Sequence, residues 1–540
     1  MRPAIALYLV TYAVGVVGQT WCGKNYMLGS PMAPPGGQFP LPTTTNQPLL
    51  AFRCAPAIKP YLASDKSGSI IVDTGLTHLK VEGAVPFYAK SNSTLAVSVT
   101  VNGCLLASGS VPVNATGLEL PFSLSSLKPQ KGPLTISCTA ISEDDFNFKA
   151  ISELKFMPDP TEGSVTKMDL RTGALMVQSN GGRGSTWEPI FPIGFYTGFD
   201  NYLAANLSVI NNLKARGFTV IHPIPTFGNL TALNEVLDRM EEVGIFLMYD
   251  MRFSYMNNTA VTEQVNMIKS RKNLLLWYTG DEPDGTSDPL NSTTISYDLI
   301  NELDGYHPVS LVLNCQDYQF TAYTRGTDIV MQDTYPIDIN ATFSAVYHTP
   351  CASDCGVCGC DNCKGNFDDI SSRMEEFKWR LDVLGDKRNK PVWAVPQAFG
   401  GEEFWPRTPT GNEFLVQSVL SINHGALGIV PWDDPTPADV KESATQLALA
   451  MPAINKFLFD PHSTFGPVNT NGVDIGIWKS GSQTLLLATN LNYAPTTVTI
   501  GDVFAITSNE ILNSGGSVQM DSNGQLHISL DSVGTVGFVL

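Results

Sequence analysis

Basic side chains are scarce in this 540-residue sequence. Thirty-three Lys and Arg stand against 51 Asp and Glu, a formal net charge of −18. An acidic surface repels phosphate backbones and anionic lipid, so neither nucleic acid nor a membrane is an expected partner. Long apolar runs are lacking beyond the first twenty residues, which excludes a later membrane-spanning segment. No G-x-G-x-x-G follows the first strand of the alternating region described below, which argues against a doubly wound nucleotide-binding sheet. No cofactor is implied. What is abundant is apolar: 43% of residues are hydrophobic and only 16% charged, so a large core can be buried. The length exceeds one ordinary core, and two or three domains are expected.

The first residues, MRPAIALYLVTYAVGVVGQT, carry one early Arg, an apolar run and small residues before Gln19. The run is shorter than the ~20 residues a span needs and predicts a cleaved signal peptide over residues 1–18. Seven N-x-S/T sequons agree with secretion: Asn92, Asn114, Asn206, Asn229, Asn257, Asn291 and Asn340. An extracellular, glycosylated eukaryotic protein is expected. The ten cysteines fall in two groups. Cys22, Cys54, Cys104 and Cys138 lie early; Cys315, Cys351, Cys355, Cys358, Cys360 and Cys363 lie late. Each group is even, which predicts disulfides throughout, with the pairing left open. The run CASDCGVCGCDNC also fits a zinc cluster, but disulfides are the commoner use in a secreted chain.

Residues 19–50 are rich in Pro, Gly and Thr and predict an extended lead-in. Residues 51–160 predict an N-terminal β-sandwich: STLAVSVTVNGCLLASGSV alternates, turns at Asn102-Gly103 and resumes. KMDLRTGALMVQS predicts a hairpin turning at Arg171-Thr172-Gly173. Over residues 165–460, eight short apolar segments then alternate with helical patterns, with a cysteine-rich insertion at 351–363. Such alternation predicts parallel strands with crossover helices, and eight repeats of this size predict a (β/α)8 TIM barrel. Gly217, Gly244, Gly385 and Gly425 mark helix ends just before strands. Residues 463–540 return to β texture and predict a small C-terminal β-sandwich. The expected fold is multidomain, α/β plus β.

In such a barrel the chemistry lies at the C-terminal strand ends. The polar residues there are His222, Asp250, Arg252, Asp281, Glu282, Asp333, Tyr335, Gln397, Glu402, Glu403, Trp432 and Asp433. Carboxylates and aromatics dominate, with no Ser-His-Asp order and no phosphate-binding loop. Rings stack on sugar faces and carboxylates do acid/base work, which is what glycoside hydrolysis needs. The segment LLLWYTGDEPDG sets Asp281 beside Glu282 where an apolar strand ends. Neighbours in a strand face opposite ways, so both reach one site only if the alternation breaks, as at a bulge. Two close carboxylates raise the pKa of one, leaving it protonated as an acid. Asp-Glu-Pro is also a good helix start, Asp250–Arg252 a local ion pair, and Glu402–Glu403 a solvated loop.

A Glu closing the fourth strand resembles the clan of retaining barrel glycosidases. Those enzymes usually place Asn before it and a second Glu on strand seven, whereas this sequence has Asp281 and Gln397. An amide cannot form a glycosyl ester. The adjacent pair Asp281-Glu282-Pro283 instead resembles the substrate-assisted hexosaminidases of glycoside hydrolase families 20 and 123. That resemblance implies a 2-acetamido oxygen as nucleophile, Glu282 as acid/base, Asp281 as the group orienting the acetamido, and Tyr335 as its support. It implies a carbohydrate substrate; Asp333, Asp250, Trp432 and Gln397, from their places at strand ends, are expected to shape the sugar site. The alternatives are a neutral-sugar glycosidase using Asp333, Glu402 or Glu403 as a second carboxylate, and a secreted glycan-binding protein without activity.

Overall fold

The structure, a computed structural model, describes residues 20–29, 33–34, 36–88, 93–178, 186–501 and 509–540. The expected signal peptide and the Asn92 sequon lie outside the described residues. The other six sequon asparagines are exposed. Two of them, Asn229 and Asn257, cap helices: each Oδ1 accepts two backbone N–H groups of the first turn. A glycan attaches at Nδ2, so cap and glycan are compatible.

The molecule is a mixed α/β protein with several antiparallel sheets around one curled parallel sheet. Near the N-terminus, strands Leu118–Ser123, Ser67–Leu79, Thr44–Pro56 and Ala84–Pro86 form one four-stranded sheet. Strands Asn147–Leu154, Leu134–Ser142, Thr94–Val101 and Cys104–Pro112 form a second. Leu95, Val97, Val99 and Val101 alternate inward and meet Leu50, Ile70 and Val72 of the first sheet in one apolar cluster. The turn at Asn102 and Gly103 has positive φ at both residues, as a two-residue hairpin needs. Cys54–Cys138 joins the two sheets. Strands Lys167–Asp169 and Ala174–Gln178 make the expected hairpin. At the other end, residues 464–539 build a six-stranded antiparallel sheet.

The parallel sheet holds seven strands in sequence order: β1 (Gly194–Thr197), β2 (Val220–Pro223), β3 (Phe246–Asp250), β4 (Leu274–Asp281), β5 (Val309–Leu313), β6 (Ile329–Gln332) and β7 (Val392–Ala394). Helices such as Leu230–Val243 and Asp368–Val383 lie between them. Gly244, at φ 70, closes the first of these in the left-handed conformation that glycine tolerates. The strands are buried on both faces, as parallel strands under crossover helices must be. Trp277 of β4 joins the cluster beneath the helices. Leu276 and Tyr278, its neighbours, join Met248, Met331, Trp393 and Val430 on the inside of the curl.

The expected eighth strand is not a regular strand. Residues 429–434 instead make isolated parallel bridges to both sheet edges: Ile429 to Ile193 and Ala394, Trp432 to Gln397, Asp434 to Thr197. Pro431 and Pro435 have no N–H to donate, which breaks a continuous ladder.

Two further expectations are corrected. Residues 20–25 are not an extended lead-in but a hairpin, Thr20–Trp21 against Lys24–Asn25. It is fastened by Cys22–Cys315, a bond between the early and late cysteine groups. Taking one cysteine from each even group leaves an odd number in both. Cys104 and Cys355 are accordingly free thiols and not disulfide partners. Cys351–Cys358 and Cys360–Cys363 are paired.

Cys54 and Cys138 lie 84 residues apart, a long loop for one cross-link to close. Replacing both with Ser lowers unfolding stability by about 2–5 kcal/mol, read as a lower urea midpoint. An unchanged midpoint would show that the two sheets hold together without the bond.

Candidate active site

The strand alternation does break where β4 ends. The pairing of β4 with β5 shifts register between Tyr278 and Asp281. Glu282 follows with φ 52 and ψ 46, a left-handed conformation that costs a non-glycine residue about 1–3 kcal/mol. Two features hold it there. Its N–H donates to the Val312 carbonyl at 3.1 Å, and Pro283 opens a one-turn helix directly behind it. Asp281 and Glu282 therefore leave the strand end toward different partners while staying close enough for their charges to interact.

Asp281 turns to a cation. Arg252 donates from Nη1 to Asp281 Oδ2 at 2.8 Å and from Nε to Asp250 Oδ2 at 2.7 Å. His222 Nε2 also meets Asp250 Oδ2, at 2.8 Å. The Tyr278 hydroxyl donates to the other oxygen of Asp281. The guanidinium lies near three rings, with centroids 5.3 Å away in Tyr196, 5.5 Å in Tyr278 and 5.0 Å in Trp432. Burial pushes Asp281 up, and Arg252 pulls it back. Burial also works against the charge of Asp250, but Arg252 and His222 outweigh it and hold Asp250 below its ordinary range. Burial pushes His222 down, toward the neutral ring.

Glu282 turns to a second carboxyl group. It shares a hydrogen bond with Asp333 at the end of β6. Asn314, just past β5, donates from Nδ2 to Glu282 Oε1 at 3.1 Å and sits 3.4 Å from Asp333 Oδ1. Burial raises both acids. The charge of Glu282 and the bond between them raise Asp333 further, well above a normal carboxyl, while the same bond pulls Glu282 back down. Beneath the pair, Asp284 accepts the N–H groups of Cys315 at 2.8 Å and Asn314 at 3.2 Å; burial raises its pKa to about 7. Asn314 Oδ1 in turn accepts the Trp21 indole N–H at 3.0 Å. Trp21 lies flat enough on the chain that a Cβ on Gly285 would come within 2.5 Å of its ring.

The structure thus brings Asp281, Glu282, Asp333, Asp250, Arg252 and His222 into one network, with Trp432 half-buried at its edge. Tyr335 is buried, edge-on to Phe399 at 5.0 Å and Trp405 at 5.9 Å. Burial pushes its hydroxyl up, with Asp333 and Glu282 adding to the effect. Asp433 is half-buried, and burial with nearby Glu402 raises it to about 6. Glu402 and Glu403 are exposed on a loop. Two expected sugar contacts are corrected. Gln397 is fully buried; its Oε1 accepts the Ile337 N–H at 3.2 Å and its Nε2 donates to the Phe399 carbonyl at 3.3 Å, so it braces backbone. Asp250 is 1% exposed and committed to Arg252 and His222, so it positions rather than touches a ligand. Sequence reasoning missed Asn314, Asp284 and Trp21. A polar residue closing the fifth segment, PVSLVLNC, was the available signal for Asn314. Nothing local marked Trp21.

No family model and no curated protein matches this sequence. Among solved structures, it is similar to a β-glucuronidase from Ruminococcus gnavus, at 10% identity over 72% of this chain and 60% of that one, with a TM-score of 0.31. It is similar to a GH30 endoxylanase from Clostridium papyrosolvens, at 12% identity over 66% and 97%, with a TM-score of 0.39. It is also similar to a debranching enzyme from Nostoc punctiforme, at 9% identity over 62% and 88%, with a TM-score of 0.41. Likenesses this distant decide no chemistry.

Gln397→Glu would set a carboxylate oxygen against the Phe399 carbonyl in a water-free place. The expected loss is about 1–3 kcal/mol of stability, visible as a lower thermal midpoint. An unchanged midpoint would mean that the position tolerates a charged group and is open to a ligand.

Proposed function

We propose that this protein is a secreted glycoside hydrolase, with residues 165–460 acting as a (β/α)8 barrel in which 429–434 serves as the eighth strand. In this reading 51–160 and 463–540 are accessory β-sandwich domains. The observation that carries the proposal is the division of labour at the end of β4. Burial raises Glu282, which hydrogen-bonds Asp333, while adjacent Asp281 is paired with Arg252. An acid raised by burial beside a carboxyl paired with a cation is the combination glycosidic cleavage uses.

The finer reading is retaining, substrate-assisted cleavage of a β-linked N-acetylhexosamine. The acetamido oxygen attacks C1, the C1–O bond breaks, and the Glu282 proton passes to the leaving oxygen. Water then attacks C1 and gives its proton to the Glu282 carboxylate, opening the cyclic intermediate. Asp281 orients the acetamido group, Tyr335 supports its oxygen, and Trp432 offers a ring face to the sugar. Asp333 hydrogen-bonds Glu282, which sets it nearer than the ≈5 Å of a retaining pair or the still wider gap of an inverting pair. That disfavours Asp333 as the second carboxylate. Exposure of Glu402 and Glu403 disfavours them as well.

The test is hydrolysis of aryl β-N-acetylgalactosaminide and β-N-acetylglucosaminide against aryl β-galactoside and β-glucoside. Cleavage confined to acetamido sugars is expected, with Glu282→Gln slower by about 10²–10⁴-fold. Cleavage of the plain sugars would overturn substrate assistance. Undiminished rates in Glu282→Gln would overturn the site.

Arg252 holds down the pKa of both Asp281 and Glu282. In Arg252→Met both rise. The acid limb follows ionisation of Asp281 and the alkaline limb follows loss of the Glu282 proton. The whole pH profile of kcat/KM therefore moves to higher pH. A profile lower in height but fixed in position would show that Arg252 acts on neither group.

A further inference from the structure

Glu282 also lines a cleft of about 760 Å³, the size of a site for a ligand of several rings. Among the described residues, Asp281, Arg252 and Trp432 do not line it. Glu282 therefore stands at a boundary, with the Arg252 network on one side and this cleft on the other. The cleft walls come from segments far apart in sequence, the hairpin at 20–25 and the cysteine-rich insertion. They are locked together. Lys24 Nζ meets Asp361 Oδ1 and Asn362 Oδ1, each at 2.6 Å. The Gly356 N–H donates to the Asn25 carbonyl at 2.8 Å, and the Thr349 hydroxyl to the Tyr26 carbonyl at 2.9 Å. Cys22–Cys315 and the two disulfides of the insertion add covalent ties. Walls held this firmly lose little freedom when they bind.

Their chemistry fits one occupant. Trp21, Tyr26, Tyr347 and Phe404 present rings, while the amides of Gln316 and Asn362 bond each other, Glu376 and Lys24. Rings take the apolar faces of pyranoses. Lys24, the one cation among the described lining residues, is already neutralised by Asp361, while Glu403 adds negative charge. An anionic sugar would find no free partner.

We propose that this cleft holds the leaving-group side of a glycan: one or more neutral sugar residues attached through the bond that Glu282 protonates. The assignment rests on the acid role given to Glu282 above. An acid delivers its proton to the leaving oxygen, so the leaving sugars must lie on the side that Glu282 faces. The reacting ring then lies toward Asp281 and Trp432. The substrate class is an oligosaccharide or polysaccharide bound across Glu282.

The experiment is calorimetric titration of full-length Glu282→Gln with chitotetraose and with N-acetylglucosamine. The tetramer is expected to bind at least tenfold more tightly than the monosaccharide. Adding Tyr26→Ala and Tyr347→Ala should weaken tetramer binding at least tenfold, while Tyr26→Phe with Tyr347→Phe, which keeps both rings, should preserve it. Equal affinity for tetramer and monosaccharide, or tetramer binding indifferent to loss of both rings, would overturn the cleft assignment. That comparison of ligand lengths needs no ring variant to fold. Incubating wild type with the tetramer separates the two proposals: binding without release of reducing ends would sink the hydrolase reading and leave the cleft as a glycan site.

Discussion

One buried cation governs the charge state of this site. Arg252 lies between Asp250 and Asp281, covered by Tyr196, Tyr278 and Trp432. A buried charge must be paired, and the site holds four carboxyl groups around one guanidinium. Asp250 and Asp281 take that cation directly, and His222 supports Asp250 as a neutral ring. No ion pair of that kind reaches Glu282 or Asp333, which hydrogen-bond each other and are both raised. The raised acids are therefore a consequence of scarcity: one buried guanidinium faces more carboxyl groups than it can pair.

The second constraint is long-range. Asn314 sees both Glu282 and Asp333, and its orientation is set by Trp21, 293 residues away. Trp21 is held in turn by Cys22–Cys315 and by the small surface of Gly285. The same hairpin walls the cleft. Proton placement and ligand binding thus share one support, and that support is a segment whose composition suggested only a linker.

Much of the architecture was legible in local pattern. Apolar runs such as Leu274–Asp281 and Val309–Leu313, most of them followed by helical spacing, located all seven strands of the curled sheet. Alternation in Thr94–Val101 and the Asn-Gly turn after it located a hairpin. The eighth segment was legible as an apolar stretch but not as bridges, because Pro431 decides which hydrogen bonds exist. The candidate site was half legible. Acids at strand ends marked Asp281, Glu282 and Asp333, since such residues are costly in a core. Gln397 looked equally suggestive, yet its amide is consumed by the Ile337 and Phe399 backbone, which no spacing reveals.

The sequence by itself determined where strands and helices run, because hydrophobic period depends on neighbours three or four residues away. It also determined which side chains bring chemistry to the strand ends. Only the tertiary structure decided which cysteines pair, which carboxyl pairs with Arg252, and that residues 20–25 fold back onto Asn314. Each of those outcomes depends on distances between residues hundreds of positions apart, and on which groups share burial away from water. Electrostatics and covalent closure act through space, and that space exists only once the chain has folded.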